Sequence, residues 1–104
     1  MRCRLSILAA AAALVAGPAL ADRIDGDWCQ PGSARALTID GPRIVTPGGR
    51  RLTGEYSRHF FAYTAPADEP GAGTRIEMRL LSEDEVEVLT GDDFQSWRRC
   101  RPMS

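Results

Sequence analysis

Two cysteines, each close to a tryptophan, bound what this chain can fold into. Cys29 directly follows Trp28, and Cys100 stands three positions after Trp97. On a β-strand successive side chains point to opposite faces, so residues one or three apart also face opposite ways. If both indoles enter a core, both thiols point outward on the same face. That is the parity a disulfide between neighbouring strands requires. The first and last strands then lie side by side, and a meander whose ends pair is a closed barrel with no exposed sheet edge. A Cα separation above about 7 Å would exclude the arrangement.

Those two cysteines are paired by elimination of a third. Residues 1–21 read as a cleaved secretory signal peptide: Arg2 and Arg4 start it, an apolar run extends from Leu5 to Ala16, Gly17-Pro18 breaks it, and Ala19-Leu20-Ala21 supplies the small residues before the cut. The apolar run is too short for a membrane span, which needs roughly 20 residues. Cys3 precedes the run and is lost with it, whereas a lipid-modified cysteine would follow it. Cys3 also separates Arg2 from Arg4, so the signal is not a twin-arginine one. Cleavage after Ala21 takes 21 residues from 104 and leaves a single small domain, residues 22–104, with 11 Arg and 14 acidic residues. No membrane anchor is expected after cleavage, and the periplasm or the exterior is the expected location. In such an oxidising compartment an even cysteine count reads as a disulfide. A metal site needs more ligands than His59 adds, and a redox pair has close spacing, not 71 positions.

Size and charge exclude further classes. About 80 residues cannot hold a two-domain enzyme with a cofactor half, and no metal or cofactor is expected. A net charge of −1 for the whole chain argues against nucleic-acid binding by bulk electrostatics and against a polybasic membrane surface. Every Lys/Arg position is Arg, and Asn is also absent, the composition of a GC-rich genome.

The hydrophobic pattern has period two, with frequent turn signals and no convincing helical stretch. Ile24-Gly26-Trp28, Leu37-Ile39 and Ile44-Val45 start it. Asp40-Gly41-Pro42-Arg43 reads as a two-residue type II′ hairpin, and Thr46-Pro47-Gly48-Gly49 as a type II turn. Leu52 to Tyr63 reads as one aromatic-rich strand. Residues 66–73 form a loop. Ile76-Met78-Leu80 and Val86-Val88 pair with Leu80 opposite Val86, Met78 opposite Val88 and Arg79 opposite Glu87. Phe94 to Arg99 is the last strand. The expected fold is all-β: an antiparallel meander of about seven short strands, closed or nearly closed into a barrel, with one disulfide, as a monomer.

Gly26-Asp27-Trp28 resembles the GxW motif in the first strand of lipocalin- and avidin-like barrels, and Leu37-Thr38-Ile39 is similar to their second strand. The likeness covers about 18 residues, and the chain is shorter than those families. As a whole the chain resembles uncharacterised small secreted bacterial proteins with a WC pair near the start and WxRC at the end, a resemblance that implies no particular activity.

The residues themselves point to a non-enzymatic binding module. Trp28, Phe60, Met78 and Trp97 are candidates to line an apolar ligand in the barrel. Arg50, Arg51, Arg98, Arg99 and Arg101 are candidates for contacts with an anion or an acidic partner, and the loops at 47–51 and 66–73 for recognition. The expected partner is an envelope protein or a small apolar ligand. The alternatives are a minor hydrolase using His59 as base and Ser57 as nucleophile, and a structural accessory subunit of an envelope complex. Ser57 and His59 would stand roughly 7 Å apart on a strand and need a third group to orient the base. The carboxylate pairs Asp25/Asp27, Glu85/Glu87 and Asp92/Asp93 read as a solvated face and turn chemistry.

Overall fold

A computed structural model describes residues 23–100 of the chain. The signal-peptide reading of residues 1–21, residue 22, and Arg101 lie outside the described residues.

Among the described residues nine strands form one antiparallel sheet: β1 (Gly26–Cys29), β2 (Ala36–Asp40), β3 (Arg43–Val45), β4 (Arg51–Thr53), β5 (Glu55–Ser57), β6 (Phe60–Thr64), β7 (Arg75–Ser82), β8 (Glu85–Thr90) and β9 (Asp93–Arg99). Their spatial order is β4-β3-β2-β1-β9-β8-β7-β6-β5. The first and last strands pair, with Trp28 opposite Arg99 and Cys29 opposite Arg98. Cys29 and Cys100 form a disulfide with a Cα separation of 5.0 Å. Trp28 is fully buried and Trp97 is 3% exposed. The parity of the two Trp–Cys ends therefore holds, and the sheet is a nearly closed barrel.

The strand count is nine instead of about seven because the segment read as one strand, Leu52 to Tyr63, is three. Arg58 and His59 form a two-residue turn that sets Ser57 opposite Phe60. Before it, Gly54 separates β4 from β5. These two strands follow each other in one direction; β4 pairs with β3 and β5 with β6. The nine strands thus make eight alternating runs, the number whose interior is just wide enough to be filled or to hold one small ligand. At the bend a Cβ on Gly54 would stand 2.4 Å from the Ala62 carbonyl oxygen and 2.6 Å from the Phe61 ring, so only glycine allows the approach. The Gly54 N–H donates to the Pro42 carbonyl, 2.8 Å.

The registers follow from side-chain alternation. Leu80 pairs with Val86, Met78 with Val88 and Arg79 with Glu87, and an irregularity at Leu81 carries the ladder on to Ser82 and Glu85. Asp40 pairs with Arg43 across Gly41-Pro42, and Gly41 has φ 59°, as a II′ turn demands. The turn at Thr46–Gly49 closes through a bond from the Gly49 N–H to the Thr46 carbonyl. Positive φ falls on Gly49 (89°) and not on Gly48. Type II geometry is therefore excluded; the arrangement fits a type I turn followed by a left-handed residue.

Inside the barrel, Trp28, Leu37, Ile39, Ile44, Phe61, Met78, Val86 and Trp97 form the continuous core, with Leu52, Tyr56 and Leu80 packed against it. The turns at 30–35, 46–50, 65–74 and 91–92 gather at one end, here called the mouth. The turns at 41–42, 58–59 and 83–84 gather with Arg23 and Cys100 at the other, the base.

Candidate functional site

One side chain ties three segments together at the base. Arg99, opposite Trp28 and so on the inner face, donates from Nε to the Glu83 carbonyl (2.6 Å), from Nη1 to Asp25 (2.8 Å) and from Nη2 to Arg23 (2.7 Å). Its guanidinium carbon lies 4.3 Å from the centroid of the Trp28 ring. The Trp28 indole N–H donates to the Ile24 carbonyl, 2.8 Å. Beside it, the Asp25 carboxylate accepts from the Tyr56 hydroxyl (2.5 Å) and from the Gly41 N–H (2.8 Å). Partial burial works against the Asp25 charge, but these bonds outweigh it and hold its carboxyl below the ordinary value. The same bond pushes the Tyr56 hydroxyl up.

The mouth is built differently. It holds a cavity of about 360 Å³. Leu37, Tyr63, Ile76, Val88 and Trp97, all nearly buried, form its floor, and Gln30, Arg35, Thr90, Asp93 and Gln95 border it. Alternation places them: Tyr63 pairs with Ile76, Ile76 with Thr90, and Thr90 with Asp93, a row of inward residues across β6 to β9. The Gln95 side-chain oxygen accepts from the Gln30 amide (2.7 Å) and from the Trp97 indole N–H (3.2 Å), and the Ser33 hydroxyl donates to Gln30 (2.7 Å). This network fixes the Trp97 ring. The Arg35 guanidinium lies 5.9 Å from the Trp97 ring centroid.

The two long mouth loops are tied to each other. Arg50 pairs with Asp68, 2.9 Å. Glu69 is 8% exposed and accepts from the Thr46 hydroxyl, 2.6 Å, which itself accepts from the Arg50 backbone N–H. The Glu69 carboxylate packs against Gly48, where a Cβ would stand 2.4 Å from its oxygen.

Tyr63 is 6% exposed. Burial first, then the nearby charge of Glu69, pushes its hydroxyl up to about 12, with Arg35 opposing. The hydroxyl thus senses residues of two mouth loops. Among the described residues it has no hydrogen-bond partner, and neither has the Arg35 guanidinium.

Of the four side chains expected to line an apolar ligand, Trp97 borders the cavity. Trp28 and Met78 pack below it in the core, and Phe60 shares the outer face with Arg79. Arg51 and Arg98 are exposed on the outer face, Arg50 is paired with Asp68, and Arg99 is turned inward to the base. Ser57 and His59 are exposed at the base, at the end opposite the cavity. A second, more open cleft of about 430 Å³ lies over β2, β3 and β4, between Arg43, Val45 and Arg51. No group of three or more His, Cys, Asp or Glu able to hold a metal occurs among the described residues, and no described helix is long and apolar enough to cross a membrane.

The residues missed in the sequence, Tyr63, Arg35 and Gln95, come from three separate segments. The available signal was parity: Tyr63 and Gln95 alternate in phase with Phe61 and Trp97. Comparison with family models, with curated proteins and with solved structures finds no match to this chain.

Proposed function

We propose that the protein is an exported, non-enzymatic binding module whose barrel mouth takes a small apolar ligand. The observation that supports this reading is the cavity itself: about 360 Å³, with an apolar floor and a rim of a few polar groups, the usual form of a small-ligand site. Eight alternating strand runs agree with it, as does the likeness of Gly26-Asp27-Trp28 to lipocalin- and avidin-like barrels. The disulfide agrees with an oxidising compartment.

The test is titration of the oxidised protein with N-phenyl-1-naphthylamine, an uncharged apolar fluorophore. Saturable binding at one site, lost in a Thr90→Trp variant that fills the mouth, is the expected result. Absence of saturable binding, or binding indifferent to Thr90→Trp, overturns the reading. In that case, capture of an envelope protein on the immobilised chain would point to a protein partner instead.

A further inference from the structure

The mouth also carries information about what its ligand presents. Tyr63 is more than nine-tenths buried and borders the cavity, yet its hydroxyl has no protein partner among the described residues. Buried tyrosine hydroxyls normally find one, because a donor left without an acceptor costs free energy. The Arg35 guanidinium, bordering the same cavity and resting near Trp97, likewise lacks an acceptor among the described residues. Two donors therefore face one space. The Gln30–Gln95–Trp97 network, by contrast, is satisfied internally and leaves the Trp97 ring as an apolar wall.

Charge narrows the class further. Arg35 is the one cation bordering the cavity among the described residues, and Asp93 borders it too. Glu69, largely buried and near enough to act on the Tyr63 hydroxyl, adds a second negative charge and is the stronger of the two charges that act on Tyr63. An anionic head would meet this field, and a cationic head would leave both donors without an acceptor. Resting on the mouth being the ligand site, we propose that its ligand is an uncharged apolar molecule with a carbonyl-type oxygen that accepts hydrogen bonds from Tyr63 and Arg35.

Calorimetric titration with three probes of equal chain length, 2-octanone, octanoate and octylamine, tests this, with N-phenyl-1-naphthylamine run beside them. The expected order places 2-octanone about tenfold tighter than either charged probe. Tyr63→Phe, its fold checked by circular dichroism, then weakens 2-octanone about tenfold, the worth of one hydrogen bond. If octanoate or octylamine binds as well as 2-octanone, or Tyr63→Phe leaves the ketone unaffected while the fluorophore still binds, this inference falls and the mouth remains a ligand site. If neither the fluorophore nor any of the three probes binds, the ligand-site reading falls and this inference with it.

Discussion

The Arg99 guanidinium lies over the Trp28 ring at the base of the barrel, its carbon 4.3 Å from the ring centroid. Sequence position suggests a surface arginine, next to Arg98 at the end of β9. Register places it inside, because Arg99 is opposite Trp28 and in phase with Trp97. All three guanidinium nitrogens that donate do so to backbone carbonyls of other segments.

Arg99→Lys is therefore not a conservative change. An ammonium cannot span three carbonyls set around a planar fork. Loss of about 2 kcal/mol is expected, given charge-assisted bonds of roughly 1.5–3 kcal/mol at a site only partly shielded from water. Urea denaturation of the variant checks it; an unchanged midpoint would remove Arg99 from the account of stability.

The disulfide closes a loop of 71 positions. In the chain-entropy description a loop of this length stabilises by about 4 kcal/mol. The Cys29→Ser, Cys100→Ser double variant should lose that amount, and in the oxidised protein neither Cys29 nor Cys100 should react with thiol-reactive reagents until reduced. Denaturation curves read the first, and thiol titration before and after reduction reads the second.

Gly54→Ala forces a methyl group into the Ala62 carbonyl and the Phe61 ring. Relief requires β4 or β5 to move, at a cost of about 2 kcal/mol, typical of overpacking. Hydrogen exchange should quicken first at residues 51–57. Uniform exchange across the sheet would show that the bend is not a separate weak point.

The two tyrosines should behave oppositely. Tyr56→Phe breaks the bond to Asp25 and should destabilise by about 1 kcal/mol, whereas Tyr63→Phe removes a hydroxyl that has no partner among the described residues and should be neutral or slightly stabilising in the ligand-free protein. The folded Asp25 carboxyl titrates below its ordinary value of 3.8, so its contribution is present above that pH and is lost as pH falls through the lowered value. The Tyr63 hydroxyl titrates above its ordinary value of 10.0, at about 12, so its contribution is complete below pH 10 and is lost as pH rises toward 12. Stability measured against pH should thus fall at both extremes, with the acid limb shallower in Tyr56→Phe. An acid limb identical in the two proteins would discount the Asp25 bond.

Much of the barrel was legible because strand parity is a strict constraint. The Trp28-Cys29 and Trp97–Cys100 spacings, and the Leu80/Val86 register, each tie several residues to one face, so a single slip would expose a core residue. The Leu52–Tyr63 segment was less legible. Its aromatics suit a strand throughout, and the Arg58-His59 turn carries neither Gly nor Pro to announce it. Phe60 was misplaced for the same reason: without that turn, the alternation of Phe60 against Phe61 has no reference. The mouth was the least legible part. It joins Arg35, from a turn, with Tyr63 and Gln95, from two strands far apart in sequence, and its distinguishing property, a hydroxyl without a partner among the described residues, exists only in three dimensions.

The pairing of β1 with β9 also sets a schedule. As the chain folds, residues 26–29 can find β2 at once, but their other edge waits for residues 93–99, far along the chain. The same holds for the Arg23 and Asp25 carbonyls, which stay without their donor until Arg99 arrives. Closure is thus among the most non-local events in the fold, and such contacts form late and slowly. Until then the molecule is an open ribbon with a sticky border, and the Arg99 bonds and the Cys29–Cys100 disulfide are what end that exposure.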